Sequence, residues 1–170
     1  MKIGIAADHA GQRLKAAITE HLRASSHTIV PFGPETTVDD DYPLIVRLLA
    51  DAVARGDVDR GIFLCGSGIG PAVAANKIPG VRAAVVENEW SARDSVEHVD
   101  VNLLTLGERV IGESLAKSIV DAYLGAEVQG GRHERRRNQI RALESRTGTA
   151  HEEPKLIKRG ERSERFRPAR

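Results

Sequence analysis

The sequence predicts an α/β protein: a five-stranded parallel sheet with helices on both faces. Three observations carry that prediction. Short apolar runs alternate five times with longer amphipathic ones. The strand candidates are continuous in apolar residues, as strands buried on both faces are. Aromatics make up only 4% of the chain while apolar residues reach 41%, so the core must be assembled from Ala, Val, Ile and Leu.

Each element has its own reason. "KIGIAA" (2–7) reads as a buried strand. Residues 11–25 carry Leu14, Ala17, Ile18 and Leu22 at helical spacing. "HTIVPFG" (27–33) is a second strand, followed by a polar loop over 34–43. Residues 44–56 form a helix closed by Gly56, and "RGIFLC" (60–65) is the third strand. A helix over about 69–77 tolerates Pro71 because proline fits a first turn. "VRAAVV" (81–86) and "VNLLTLG" (101–107) are strands, separated by a short helix over 88–98. Helices over 112–125 and 134–146 complete a domain spanning 1–146. The remainder, 147–170, is charged and aperiodic; from 151 on it carries seven Lys/Arg against four Asp/Glu. It reads as a disordered, solvated tail, with docking or anion binding as the alternative.

Composition narrows the function classes. A formal net charge of +1 gives no reason to expect nucleic acid. No segment approaches the roughly 20 apolar residues of a membrane span, and the amino terminus is too short and too interrupted for a signal peptide. A single cysteine, Cys65, cannot form an internal disulfide. The expectation is a soluble cytoplasmic protein.

In open parallel sheets ligands bind beyond the carboxyl ends of the strands, so the residues that follow each strand matter most. The richest such stretch is "FLCGSGIGPAVAANK" (63–77), where Cys65 is followed by three glycines in five residues. A Walker loop would need Gly-Lys-Ser/Thr, and a dinucleotide fingerprint would need a different glycine spacing after the first strand. Cys65 is open to two readings: a small buried hydrophobe, or a base whose thiolate is stabilised at a helix start. Ser67 and the N–H groups of residues 66–70 favour the second. A base beside an oxyanion cradle is the apparatus for removing a proton next to a carbonyl. Of six histidines, His9 and His98 are expected on the ligand side, whereas His21, His27 and His151 read as surface residues. No His/Cys/carboxylate group has metal-ligand spacing, so no metal is expected. Arg132 and Arg136 lie four apart in "GGRHERRR", either on a solvated helix face or as a phosphate clamp.

Six motifs in order, "ADHAG", "DYP", "CGSGIG…AANK", "GVRAA", "NLLTLGERVIG" and "GGRHERR", resemble the type B ribose-5-phosphate isomerases and the related galactose-6-phosphate isomerase subunits. The resemblance runs from residue 1 to about 146. It implies a Rossmann-like three-layer sandwich and cofactor-free interconversion of ribose 5-phosphate and ribulose 5-phosphate through an enediolate. It also implies an active site at the interface of a homodimer or a dimer of dimers. Carried onto this chain, Cys65 is the base and Ser67 its hydroxyl partner. Backbone N–H groups of Gly66, Gly68, Ile69 and Gly70 hold the enediolate oxygen. Asp8 binds sugar hydroxyls, and His98 assists ring opening. His9, Arg109, Arg132 and Arg136 bind phosphate, and Tyr42 lies beside the sugar, some of these coming from the neighbouring subunit. Two positions depart from parts of the family. Pro71 stands where one branch has a catalytic glutamate, so Cys65 puts the chain in the thiol branch. Val99 follows His98 where many members have asparagine, and valine cannot donate to a sugar hydroxyl. Tetrose phosphates and 6-phosphohexoses are therefore the rival substrates within the class, and a non-catalytic sugar-phosphate binding module is the rival outside it.

Overall fold

The structure, a computed structural model, describes residues 1–33 and 41–144. The expected tail over 147–170 and most of the 34–43 loop lie outside the described residues. Five strands run in chain order as β1 (Lys2–Ala7), β2 (Thr28–Pro31), β3 (Arg60–Cys65), β4 (Ala83–Val85) and β5 (Leu103–Gly107). The helices are α1 (Gln12–Arg23), α2 (Tyr42–Arg55), α3 (Ile69–Ala75), α4 (Glu89–Val99), α5 (Glu113–Leu124) and α6 (Arg132–Glu144). Every strand pair is parallel, in the order β2-β1-β3-β5-β4.

Alternation along β3 builds two cores from one strand, because successive side chains point to opposite faces. Ile62 and Leu64 join Leu14, Ile18 and Leu22 of α1, Ala92 and Val96 of α4, and Ile119 and Tyr123 of α5. Phe63 and Cys65 turn the other way, onto Ile45, Val46, Leu49 and Val53 of α2 and Ala75 of α3. So α1, α4 and α5 cover one face of the sheet, and α2 and α3 the other. The thiol belongs to the second layer.

Several boundaries differ from expectation, and three of the shifts have a visible reason. Helix α2 begins at Tyr42 rather than 44, since Pro43 fits its first turn. Strand β4 shortens to three residues because the Val81 N–H is taken by the Ile78 carbonyl and the Arg82 N–H by the Asn102 side chain. The last helix starts at Arg132, immediately after the double glycine. No described helix is long and apolar enough to cross a membrane.

Candidate active site

Strand order reverses between β1 and β3: the chain leaves β1 for β2 on one side and β3 for β4 and β5 on the other. That switch point is where a doubly wound sheet leaves a crevice beyond its carboxyl ends. Here it holds a pocket of about 330 Å³ lined by Asp8, His9, Ala10, Tyr42, Cys65, Gly66, Ser67, Gly70, Pro71, Arg109 and Val110.

Backbone bonds fix the crevice walls. After β1, the Asp8 N–H donates to the Leu64 carbonyl (3.2 Å), tying the first loop to β3. The Asp8 carboxylate accepts from the Ala10 N–H at 2.8 Å, which turns the chain and leaves His9 exposed at the rim. After β5, the Glu108 N–H donates to the Cys65 carbonyl (2.7 Å) and the Arg109 N–H to the Gly66 carbonyl (3.1 Å). Helix α1 lacks a side-chain cap of its own; Glu108 supplies one, accepting from the Leu14 N–H at 2.9 Å and pairing with Arg13 at 3.2 Å. The loop that carries Arg109 is thereby anchored from both sides.

Cys65 is only 4% exposed and lines the pocket floor. Gly68 sits at φ +82°, a left-handed conformation that folds its N–H back to donate to the sulfur at 2.9 Å. An N–H group expected to stand open for an oxyanion thus points at the thiol, while the side chains of Ser67 and Ile69 face outward. Burial pushes the Cys65 thiol above its ordinary range; the Gly68 and Ser67 N–H bonds pull it back, the Asp8 carboxylate adds to the rise, and Arg109 opposes it. The expected stabilisation of the thiolate at the helix start is present but outweighed, because the sulfur is deep and α3 is a short helix. Tyr42 rests over Gly70 so closely that a Cβ there would lie 2.6 Å from the ring.

The expected residues fall into two groups. Asp8, His9, Tyr42, Cys65, Gly66, Ser67, Gly70 and Arg109 meet at the pocket, with Gly68 and Ile69 in the loop behind it. His98, Arg132 and Arg136 do not. The expectation that His98 sits on the ligand side is corrected. It occupies the last turn of α4, which closes toward the start of β5 through a bond from the Val101 N–H to the Ser95 carbonyl. That is the amino end of the sheet and the α1/α5 face, whereas Cys65 is at the carboxyl end and turns to the α2/α3 face. The reason is topological: a helix antiparallel to its strands begins at one end of the sheet and finishes at the other.

Helix α6 packs on α4 and builds a second cluster there. The rings of His98 and His133 stack at 3.9 Å with 11° between planes. Arg132 Nε donates to His133 Nε2 at 3.1 Å, and buried Arg137 donates to the His98 carbonyl at 3.2 Å. Burial, then the charges of His98, Arg132, Arg136 and Arg137, hold His133 below the usual imidazole range. Arg132 and Arg136 are exposed beside it. Val99 packs against the hydrophobic core and offers no polar group. His133, Arg137 and Asp94, which lies 2.6 Å from His98, were not singled out from the sequence. Spacing was the available signal: Asp94 is four residues before His98, and His133 four before Arg137.

The sequence profile of the Ribose/Galactose Isomerase family matches residues 3–140. Over 145 residues the chain is 45% identical to ribose-5-phosphate isomerase B of Escherichia coli, covering 85% of this chain and 97% of that protein. A solved ribose-5-phosphate isomerase B from Clostridium thermocellum superposes with a TM-score of 0.84 at 48% identity, over 86% of this chain and 99% of the other. The Mycoplasma genitalium ribose-5-phosphate isomerase B, solved with bound ribulose 5-phosphate, gives 0.81 at 42% identity over 85% and 96%. The chain belongs to the Ribose/Galactose Isomerase family.

Proposed function

We propose that this protein interconverts ribose 5-phosphate and ribulose 5-phosphate, with Cys65 as the proton carrier. The observation that carries the reading is the thiol itself. It lies at the floor of a switch-point pocket, receives the Gly68 N–H, and has Asp8 and Arg109 close enough to act on its charge. A pocket that only bound a sugar phosphate would have no use for a thiol so placed.

The chemistry runs in two stages. In ring opening the bond from C1 to the ring oxygen breaks, and that oxygen takes the electron pair and a proton supplied through His98. The C1 hydroxyl releases its proton to solvent and becomes the aldehyde. In isomerisation the Cys65 thiolate removes the C2 proton; the electrons form a C1–C2 double bond and leave an enediolate oxygen near the loop N–H groups. The thiol returns its proton to C1, and Ser67 relays the hydroxyl proton from O2 to O1. No electrons leave the sugar, so no redox partner is required.

The site is complete only between two copies of the chain. His98, Arg132 and Arg136 lie at the opposite end and face of the sheet from Cys65, so the two groups serve one substrate when a second copy presents its α4–α6 cluster to the pocket. Exposed Leu44 and Leu48 on α2, with exposed Ile69 and Val73 on α3, form apolar stripes beside the pocket rim that suit such an association. A cytoplasmic enzyme acting on a small phosphorylated sugar is consistent with this assignment.

The test is turnover of ribose 5-phosphate by the protein and by its Cys65→Ala variant. Loss of about 100- to 10,000-fold in kcat is expected. Equal turnover by the two proteins would remove Cys65 from the mechanism. Val99 favours a second reading, the same chemistry on a tetrose phosphate or 6-phosphohexose, because the position after His98 offers no donor to a sugar hydroxyl. A specificity constant for either sugar well above that for ribose 5-phosphate would establish it.

A further inference from the structure

We propose that Glu108 is a positioning residue for Arg109, a role that rests on the reading of Arg109 as a phosphate-binding residue. Glu108 ties together the two loops that wall the pocket, and so fixes where the guanidinium meets the phosphate of the substrate. One wall is residues 8–10, after β1; the other is Arg109 and Val110, after β5. Glu108 belongs to the second loop and bonds to the helix that leaves the first. Its Oε2 accepts from the Leu14 N–H at 2.9 Å, and its Oε1 pairs with Arg13 Nε at 3.2 Å. The Leu14 N–H is one of the donors that a first helical turn leaves without a partner, and a carboxylate there also meets the positive end of α1. Both anchors are stiff. Leu14 is buried, and Gly11, just before α1, packs so tightly on β3 that a Cβ would collide with the Leu64 carbonyl. On the other side the Glu108 N–H donates to the Cys65 carbonyl at 2.7 Å, and a Cβ at Gly107 would lie 2.8 Å from the Ser67 backbone.

The directions of the two neighbouring side chains give this bond its consequence. Glu108 turns toward α1 and does not line the pocket. Arg109 lays its guanidinium over Gly66, where a Cβ would stand 3.5 Å from Cζ. That guanidinium makes no hydrogen bond or ion pair among the described residues, so its placement depends on the backbone that carries it. Arginine binds phosphate through a rigid fork, and the fork serves only when it approaches at the right angle. Glu108 acts on this in two ways. Its bond to α1 stops the loop from swinging away from residues 8–10. Its charge, engaged by Arg13 and the Leu14 N–H, is also kept off the adjacent guanidinium, where it would compete with a phosphate. The cap cannot come from Gly11, which has no room for a side chain. It comes from 94 residues away, which makes one wall of the pocket depend on the other.

The experiment is a double-mutant cycle on the full chain, built from Glu108→Ala, Glu108→Gln and Arg109→Ala. KM and kcat are measured on ribose 5-phosphate, and affinity for inorganic phosphate is read by calorimetry, which does not depend on turnover. Glu108→Ala is expected to weaken phosphate binding and to raise KM by about ten-fold each, with kcat changed less than about three-fold. Glu108→Gln keeps an acceptor for the Leu14 N–H and should return both to within about two-fold of wild type. Arg109→Ala should weaken phosphate binding at least as much, and adding Glu108→Ala to it should change nothing further. Loss of the cap lowers the melting temperature of Glu108→Ala by roughly 2–4 °C whatever its effect on Arg109, so stability does not decide. Wild-type phosphate affinity in Glu108→Ala overturns the proposal. So does a Glu108→Gln chain as weak as Glu108→Ala, or an effect of Glu108→Ala that persists undiminished beside Arg109→Ala. Full phosphate affinity in Arg109→Ala instead overturns the reading of Arg109 on which the proposal stands.

Discussion

Substituting Gly68 tests whether loop geometry controls the thiol. Gly68→Ala must hold a left-handed φ of +82°, at a cost of about 1–2 kcal/mol for a residue with a Cβ. The new methyl would also lie 3.1 Å from Val85 Cγ1 and 3.3 Å from the Thr105 carbonyl, adding about 1 kcal/mol of crowding. The sum of about 2–3 kcal/mol lowers the melting temperature by roughly 4–12 °C for a chain of this size. Gly80→Ala is the control, because Gly80 has nearly the same φ, +84°, and a methyl there would meet nothing within 4 Å. It should show the backbone cost alone. Shifting the loop also loosens the 2.9 Å bond from the Gly68 N–H to sulfur, one of the contacts that restrain the rise of the thiol pKa. Alkylation by iodoacetamide, which follows the thiolate, should therefore move to higher pH in Gly68→Ala and not in Gly80→Ala. Equal stability of the two variants, or an unmoved alkylation profile in Gly68→Ala, would refute the argument.

Further predictions concern buried ionisable groups. Burial raises the Cys65 thiol, and the proposed base is its thiolate, so kcat/KM should climb with pH and reach its midpoint above the ~8.5 of a free thiol. A level profile from pH 5 to 9 would falsify Cys65 as the base. The same shift means the folded chain holds this proton more tightly than the unfolded one. Its contribution to stability is full below the ordinary thiol value and is lost as pH rises through the folded one, which denaturant titrations across that window would detect. Tyr123 is fully buried, its ionisation is pushed up by burial, and its hydroxyl has no hydrogen-bond partner among the described residues. Tyr123→Phe should therefore stabilise the protein by about 1 kcal/mol in denaturant unfolding, and a comparable loss would mean the hydroxyl is satisfied.

What the sequence made legible was local. Continuous apolar runs located all five strands, and Gly56 ended its helix as expected, because burial on both faces and capping leave marks within a few residues. The Cys65 loop was legible for the same reason. The chain writes its sulfur, its glycines and its serine side by side, and the switch point brings Asp8, His9, Tyr42 and Arg109 to them. The position of His98 was not legible. A helix-end histidine reads alike at either end of a sheet, and only the direction of α4 and the packing of α6 assign it. The electrostatic balance at Cys65 was likewise hidden, since the loop advertises N–H donors while the depth of the sulfur emerges from packing by α2 and α3.

The separation of the two clusters leads to a prediction that activity alone can decide. If the pocket of one copy works with the α4–α6 cluster of another, Cys65→Ala and His98→Gln damage different contributors to the same site. Each variant alone should be nearly inactive. When the two are unfolded together and refolded, random pairing makes about half of the dimers mixed, and each mixed dimer carries one site with both defects and one with neither. Activity should then recover to about a quarter of wild type, from two proteins that have almost none separately. The recovered activity should have the wild-type KM and pH profile, since the intact site is chemically unaltered. A site contained within one chain predicts no recovery at any mixing ratio. Arg136→Ala in place of His98→Gln extends the test: recovery with Cys65→Ala would put α6 of the second copy on the same substrate, whereas no recovery would put Arg136 in the same contributor as Cys65. The opposite ends of the sheet then become a requirement of the chemistry. The fold places the thiol loop and the histidine cluster at opposite ends of one chain, and recovery would show that each acts with a second copy.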